Sequence, residues 1–190
     1  MNRALKAKLA SANEHKLAEL RSALPGWRIE LLEAGAFPEE TGETYYDNAR
    51  TKARFGRTIS DTDWVLGEDS GLEIDALDGR PGIASARWAA DPIARALEEL
   101  DRAKNRGARY VCELVCLSPE SDEYRGTGVL EGRIATEPRG TDGFGYDPIF
   151  IPDGAESTVA ELGNSWKATN SHRARAAAAL TAALRQSGDI

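Results

Sequence analysis

The opening of the chain most constrains the fold it can enter. Leu5 to Ala10 reads as a short strand that breaks at Ser11-Ala12-Asn13, after which Leu17, Leu20 and Leu24 mark one face of a helix ending near Pro25-Gly26. A strand feeding a helix through a short polar loop is the building unit of α/β proteins. The helix start offers exposed backbone N–H groups and the positive end of the helix dipole, both of which favour a bound anion. Ser11, Asn13 and Lys16 surround that start. The loop is not a Walker A loop, because G-x-x-x-x-G-K-[ST] occurs nowhere in the chain, so a P-loop kinase or ATPase has no support.

The rest of the pattern extends the same architecture. Arg28 to Glu33 returns as a second strand, and the loop Pro38 to Gly42 leads to a helix with an inner stripe of Tyr45, Ala49 and Ala53. Asn48 and Lys52 lie beside that stripe, one turn apart. Trp64-Val65-Leu66 reads as a buried strand aimed at an acidic turn, Glu68-Asp69-Ser70, and Leu72 to Ala76 then alternates as a half-exposed strand. Asp91 to Lys104 is predicted helical, with Ile93, Leu97 and Leu100 on one side. Tyr110 to Leu117 and Tyr124 to Ile134 read as paired strands across a polar turn at Ser118 to Asp122. An Ala-rich helix from about Ser171, its N-cap, to Arg185 closes the chain. The expected fold is α/β, a mixed sheet with flanking helices.

A length of 190 residues suits one folding unit, so residues 1 to 190 are expected to form a single domain. The formal net charge of −7 disfavours a binder of nucleic acid polymers, which needs a basic stripe, but it allows one small polyanion held locally by converging Lys and Arg side chains. No apolar run approaches the roughly 18 to 20 residues that cross a bilayer, and the first residues lead straight into a strand. No membrane partner and a cytoplasmic setting are therefore expected. Cys112 and Cys116 share one face of a strand and read as buried, unpaired thiols.

Three groups of residues carry chemistry. Glu40, Glu68 and Asp69 supply carboxylates on two segments, the oxygen-rich sparse set that magnesium uses when substrate phosphates complete its shell; one of them could instead activate water. Gly143-Phe144-Gly145-Tyr146-Asp147 places two aromatic rings on one face of an extended chain, where they would sandwich a flat base or equally fill the core, and Asp147 would accept from base or ribose. Lys167, His172 and Arg173 stand around the start of the last helix. Neither Ser70 nor Ser171 has a His and Asp arrangement for nucleophilic attack, which leaves water as the nucleophile.

Read together, SANEHK, EETGETYYDNARTKA, GEDSGLEIDALDGRPGIASARW, GFGYDPIFIPDG and AELGNSWKATNSHRARA resemble the inosine triphosphate pyrophosphatase family, in the family's order and over about Leu9 to Leu180. The resemblance implies an elongated mixed α/β fold with two lobes around a central cleft, usually a homodimer. It implies Mg²⁺-dependent cleavage of the purine nucleoside triphosphates ITP, dITP and XTP to a monophosphate and pyrophosphate. By motif position, Ser11, Asn13, Lys16 and Lys52 would hold the triphosphate, with Lys52 counted among the catalytic groups and Ser70 among the substrate contacts. Glu40 and Asp69 would hold magnesium, and Asp69 or Glu68 would orient water. Phe144, Gly145, Tyr146, Asp147, Lys167, His172 and Arg173 would form the base pocket. The chain departs from the family at Ala12, where glycine is usual, at Glu68, where bacterial relatives commonly have aspartate, and in a shortened stretch from Ala89 to Gly107. A pyrophosphatase for modified pyrimidines and a catalytically silent nucleotide binder are the competing expectations.

Overall fold

A computed structural model describes residues 4–190. Six strands form one mixed sheet in the order β2-β1-β3-β4-β5-β6, where β1 is Leu5–Leu9, β2 Trp27–Leu31, β3 Trp64–Ile74, β4 Gly107–Leu117, β5 Glu123–Ile134 and β6 Phe150–Pro152. The helices are α1 (Glu14–Ala23), α2 (Tyr45–Arg57), α3 (Pro92–Glu99), α4 (Val159–Asn170) and α5 (His172–Ser187). β1 runs parallel to both β2 and β3, with Leu9 opposite Leu31 and Leu66, whereas β5 and β6 are antiparallel. The expected mixed sheet with flanking helices is therefore present.

The chain divides into two compact units. One comprises the residues up to Asp69, Cys112–Gly128 and Arg173–Ile190; the other comprises Ser70–Val111 and Val129–His172. The first has a core of Leu9, Leu17, Leu20, Ile29 and Leu66 with Leu180 and Leu184 of α5, and both Cys112 and Cys116 lie buried and unbridged within it. The second packs Leu72, Ile74, Leu100, Ile134 and Phe150 around Tyr110 and Tyr146.

Two glycines let helices of the first unit lie directly on strands. A Cβ at Gly67 would stand 2.0 Å from the Ala49 carbonyl oxygen and 2.5 Å from the Ala53 nitrogen, so α2 rests on β3 backbone to backbone. Gly126 plays the same part under α5, 2.1 Å from the Ala176 carbonyl oxygen by the same measure. Alanines at 49, 53, 176 and 177 on the facing helices, all fully buried, complete these close seams.

The structure corrects three local expectations and adds one helix. Glu68 and Asp69 do not occupy a turn at a strand end: β3 runs unbroken from Trp64 to Ile74, and both carboxylates lie mid-strand. The Gly-Glu-Asp-Ser-Gly composition resembles a turn, but the tight α2 seam and sheet neighbours hold it extended, an override of local propensity by tertiary packing. Phe144 and Tyr146 do not share a face of an extended chain, because Gly143 (φ 79°) and Gly145 (φ 62°) turn the backbone between them. The third helix stops at Glu99 instead of Lys104. Finally α4 interrupts its helical geometry at Gly163 (φ 83°), which broke the periodicity that would have announced it; its Thr158-x-x-Glu161 capping box was the available signal.

Candidate functional site

In the first unit, charged side chains from five segments meet around Glu68 and Asp69. α1 begins with Asn13 as its N-cap, whose side-chain oxygen accepts from the backbone N–H groups of His15 (2.9 Å) and Lys16 (3.1 Å), while Ser11 Oγ accepts from the Asn13 N–H. This cap aims Lys16 inward, and its Nζ lies 2.6 Å from Glu68 Oε2. From α5, Arg173 donates through Nε (3.1 Å) and Nη2 (2.8 Å) to Glu68 Oε1, and through Nη1 to Glu19 of α1. Cys112 Sγ completes the shell, 3.5 Å from Glu68 Oε1.

Glu68 is fully buried and Arg173 is 1% exposed. Burial pushes the Glu68 carboxyl up, but Arg173, Lys16 and Lys52 outweigh it and hold the group well below the ordinary carboxylate range. The surrounding cations thus favour the ionised form of Glu68. A buried ionic network of this kind is a poor source of stability, since desolvation offsets most of its attraction, and such networks concentrate where charge is needed for chemistry.

α2 supplies the second half of this centre. Thr44 and Asp47 form a capping box that fixes the helix start. One turn in, Asn48 donates to Asp69 Oδ2 (3.0 Å) and accepts from the Gly42 N–H (2.8 Å), tying the loop after Glu40 to the strand. A turn further, Lys52 Nζ sits between carboxylates, 3.2 Å from Asp69 Oδ1, 3.1 Å from the Glu68 carbonyl oxygen, and in hydrogen-bond contact with Glu40 Oε1. Burial opposes the charge on Lys52, yet Asp69 and Glu68 dominate and its pKa is raised. Asp69 differs from Glu68: burial raises it despite Lys52 and Asn48, which leaves it the more basic of the two adjacent acids.

The second unit holds a separate constellation. Asp147, 3% exposed, accepts from Lys167 Nζ (2.6 Å) and the Phe144 N–H (2.8 Å) on Oδ2, and from the Tyr110 hydroxyl (3.3 Å) on Oδ1. Lys167 Nζ also lies 4.8 Å from the centre of the half-buried Phe144 ring. His172 stacks on Tyr110 with ring centroids 4.5 Å apart and an interplanar angle of 10°. Tyr146 turns into the core, its hydroxyl donating to the Ser85 carbonyl (3.1 Å). Gly145 forms the exposed turn, and Ser70, half-buried in β3, opens this unit.

Residues expected to act together thus fall into two groups. Ser11, Asn13, Lys16, Glu40, Lys52, Glu68 and Asp69 belong to the first unit, and Phe144, Asp147, Lys167 and His172 to the second. Arg173 belongs to the first unit, where it pairs with Glu68 and Glu19. Its neighbour His172 faces Tyr110, since adjacent residues in the first turn of a helix point about 100° apart. Three participants escaped the sequence reading of the site. Asn48 lies beside Lys52 in the helical pattern with nothing to mark a role; Glu19, one helical turn after Lys16, and Tyr110, in an apolar strand run, carry no distinguishing local signal.

The first unit of this α/β fold thus holds two adjacent buried carboxylates paired with cations from three helices. The chain belongs to the Ham1 family, whose pattern it matches over residues 7–183. It is 39% identical over 183 residues to the dITP/XTP pyrophosphatase of Bdellovibrio bacteriovorus, covering 88% of this chain and 92% of that protein. It is 41% identical over 182 residues to the dITP/XTP pyrophosphatase of Deinococcus deserti, covering 92% and 87% respectively. The solved structure of the Staphylococcus aureus Ham1 protein is similar with a TM-score of 0.83 at 33% identity, over 96% of this chain and 99% of that one. Among the described residues no helix is long and apolar enough to cross a membrane.

Proposed function

We propose that this protein hydrolyses the triphosphates of aberrant purine nucleosides, ITP, dITP and XTP, to the monophosphate and pyrophosphate, and so cleanses the nucleotide pool. The observation that carries the proposal is the centre around Glu68 and Asp69, where three cations from three helices meet two adjacent buried carboxylates. The dITP/XTP pyrophosphatases named above supply the substrate class.

Attack of water on phosphorus needs positioning and charge neutralisation more than covalent help. Lys16 and Lys52, with the donors of Ser11 and Asn13 at the α1 start, would bind the phosphate oxygens. Asp69, with its raised basicity, would take the proton from water, and Glu68, held ionised by Arg173 and Lys16, would keep both cations aligned. Magnesium fits the residues present: Glu40 and Asp69 already converge on one cationic atom, Lys52 Nζ. Among the described residues no group of three or more acidic, His or Cys side chains gathers as a metal cage. Glu40 and Asp69 would therefore share the ion with substrate oxygens, and it would supply charge neutralisation on the phosphates.

In the second unit, Lys167, fixed by Asp147, would donate to the 6-oxo group of hypoxanthine or xanthine beside Phe144 and His172. The 6-amino group of adenine would leave that buried donor unmatched, a mismatch that costs factors of roughly 10⁴ in favourable cases. The same reading includes a homodimer working on small-molecule substrates in the cytoplasm.

The test is a panel of nucleoside triphosphates with magnesium and pyrophosphate detection, run on the wild type and Asp69→Asn. Turnover of ITP and XTP well above ATP and pyrimidine substrates is expected, lost in Asp69→Asn while nucleotide binding persists. Faster release from a pyrimidine triphosphate would refute the purine assignment, and tight ITP binding without turnover by the wild type would make the protein a nucleotide binder only.

A further inference from the structure

Tyr110 touches both ends of the proposed base-recognition group, through two different parts of its side chain. Its ring stacks in parallel on His172, at 4.5 Å and 10°, and is itself braced by Phe150, 4.6 Å away at an angle of 43°. Its hydroxyl reaches Asp147 Oδ1 at 3.3 Å, while Asp147 Oδ2 is occupied by Lys167 and the Phe144 N–H. Tyr110 is 6% exposed and sits in the second unit's core. It is a rigid part, held by packing on β4.

The torsion at the end of an aspartate side chain is broad, so a carboxylate gripped on one oxygen alone can swing and carry its partner ammonium with it. A donor on the other oxygen removes that freedom. Phenylalanine would keep the ring in place and remove the hydroxyl that reaches Asp147. The geometry points to Tyr110 as a specificity-determining positioning residue: its ring sets the plane of His172 and its hydroxyl locks Asp147, so that Lys167 is held on the line where a 6-oxo purine presents its acceptor. This inference rests on the proposed base pocket and adds to it a residue that need not meet the nucleotide.

The test is Tyr110→Phe, with Tyr110→Leu to remove the stack as well, assayed for kcat and KM on ITP and ATP in the presence of magnesium. Because the ITP-to-ATP ratio of kcat/KM is taken within each variant, it does not depend on the fraction of protein folded. At the net worth of an ordinary hydrogen bond, in keeping with its length of 3.3 Å, loss of this contact predicts a fall in that ratio of roughly 3- to 10-fold for Tyr110→Phe, carried mainly by the KM for ITP, and a larger fall for Tyr110→Leu. In an Asp147→Asn background, Tyr110→Phe should add little further, since the hydroxyl acts through that carboxylate. An unchanged ratio in Tyr110→Phe, or an equal fall with and without Asp147, would overturn the inference while leaving the purine assignment standing. A wild type with no preference for ITP over ATP would overturn both.

Discussion

Gly67→Ala should damage the proposed catalytic centre without touching any of its functional groups. The new methyl carbon would lie 2.0 Å from the Ala49 carbonyl oxygen, 2.5 Å from the Ala53 nitrogen and 3.0 Å from the Ala53 Cβ. Two of these three atoms are helix backbone, which cannot rotate aside, so α2 must withdraw from β3 by roughly 1 Å, an overpacking change that costs about 1–3 kcal/mol. In a chain of this size each kcal/mol lowers the midpoint by about 2–4 °C, which predicts a fall of about 2–12 °C and a protein still folded at room temperature. α2 carries Asn48 and Lys52 to Asp69, at 3.0 and 3.2 Å, so both contacts lengthen by a similar distance. Misplacement on the order of 1 Å at a reacting centre can cost about 10²-fold in rate, and a loss approaching that in kcat/KM for ITP is expected. Gly35→Ala is the control, since a Cβ there meets nothing within 4 Å. Thermal melting and pyrophosphate release decide the matter: wild-type values for Gly67→Ala, or equal losses in Gly35→Ala, would refute the argument that the glycine sets the helix-to-strand distance.

Two further outcomes follow from the charged network. Arg173→Met strands the buried Glu68 carboxylate and the half-buried Glu19 beside it and should destabilise by about 3–5 kcal/mol, somewhat less if Lys16 compensates; adding Glu68→Gln should restore part of that loss, and urea unfolding of the single and double variants checks it. Unaltered stability in Arg173→Met would mean the ion pairs are not formed. For pH, Glu68 lies well below its unfolded value of 4.5, so its contribution is fully present above 4.5 and lost as pH falls through the folded value. Asp69 is raised above 3.8, so the folded state binds its proton more tightly, and this group's contribution declines as pH rises from 3.8 through the folded value. In metal-free buffer, Glu68→Gln should therefore flatten the acid-side loss of stability, and Asp69→Asn should gain relative to wild type on going from about pH 4 to about pH 7. Parallel urea-midpoint profiles for all three proteins would contradict both assignments.

Local pattern carried far in this chain. The periodicity of Leu17, Leu20 and Leu24, the stripe on α2, the β4 and β5 runs and the break at Ser171 each appear where single-turn or alternate-residue spacing placed them. The order of motifs along the chain pointed to the family. These features are legible because helix and strand faces are set by neighbours within a few residues, and because phosphate and metal chemistry demands particular side chains wherever they occur.

What tertiary structure alone decided is which charges meet. Arg173 is 105 residues from Glu68 and 154 from Glu19, and no local signal announces that its guanidinium pairs with those carboxylates. The continuity of β3 through Glu68 and Asp69 is of the same kind, imposed by α2 resting on Gly67 and by strands on either side. Tyr110 gives the final case: it lies in a run that reads as a strand, yet the proposed role of its hydroxyl depends on where Asp147 and His172 arrive. Sequence determines the type of each group and its face; the energy of a buried charge or hydroxyl depends on partners brought from far along the chain, and only folding supplies them.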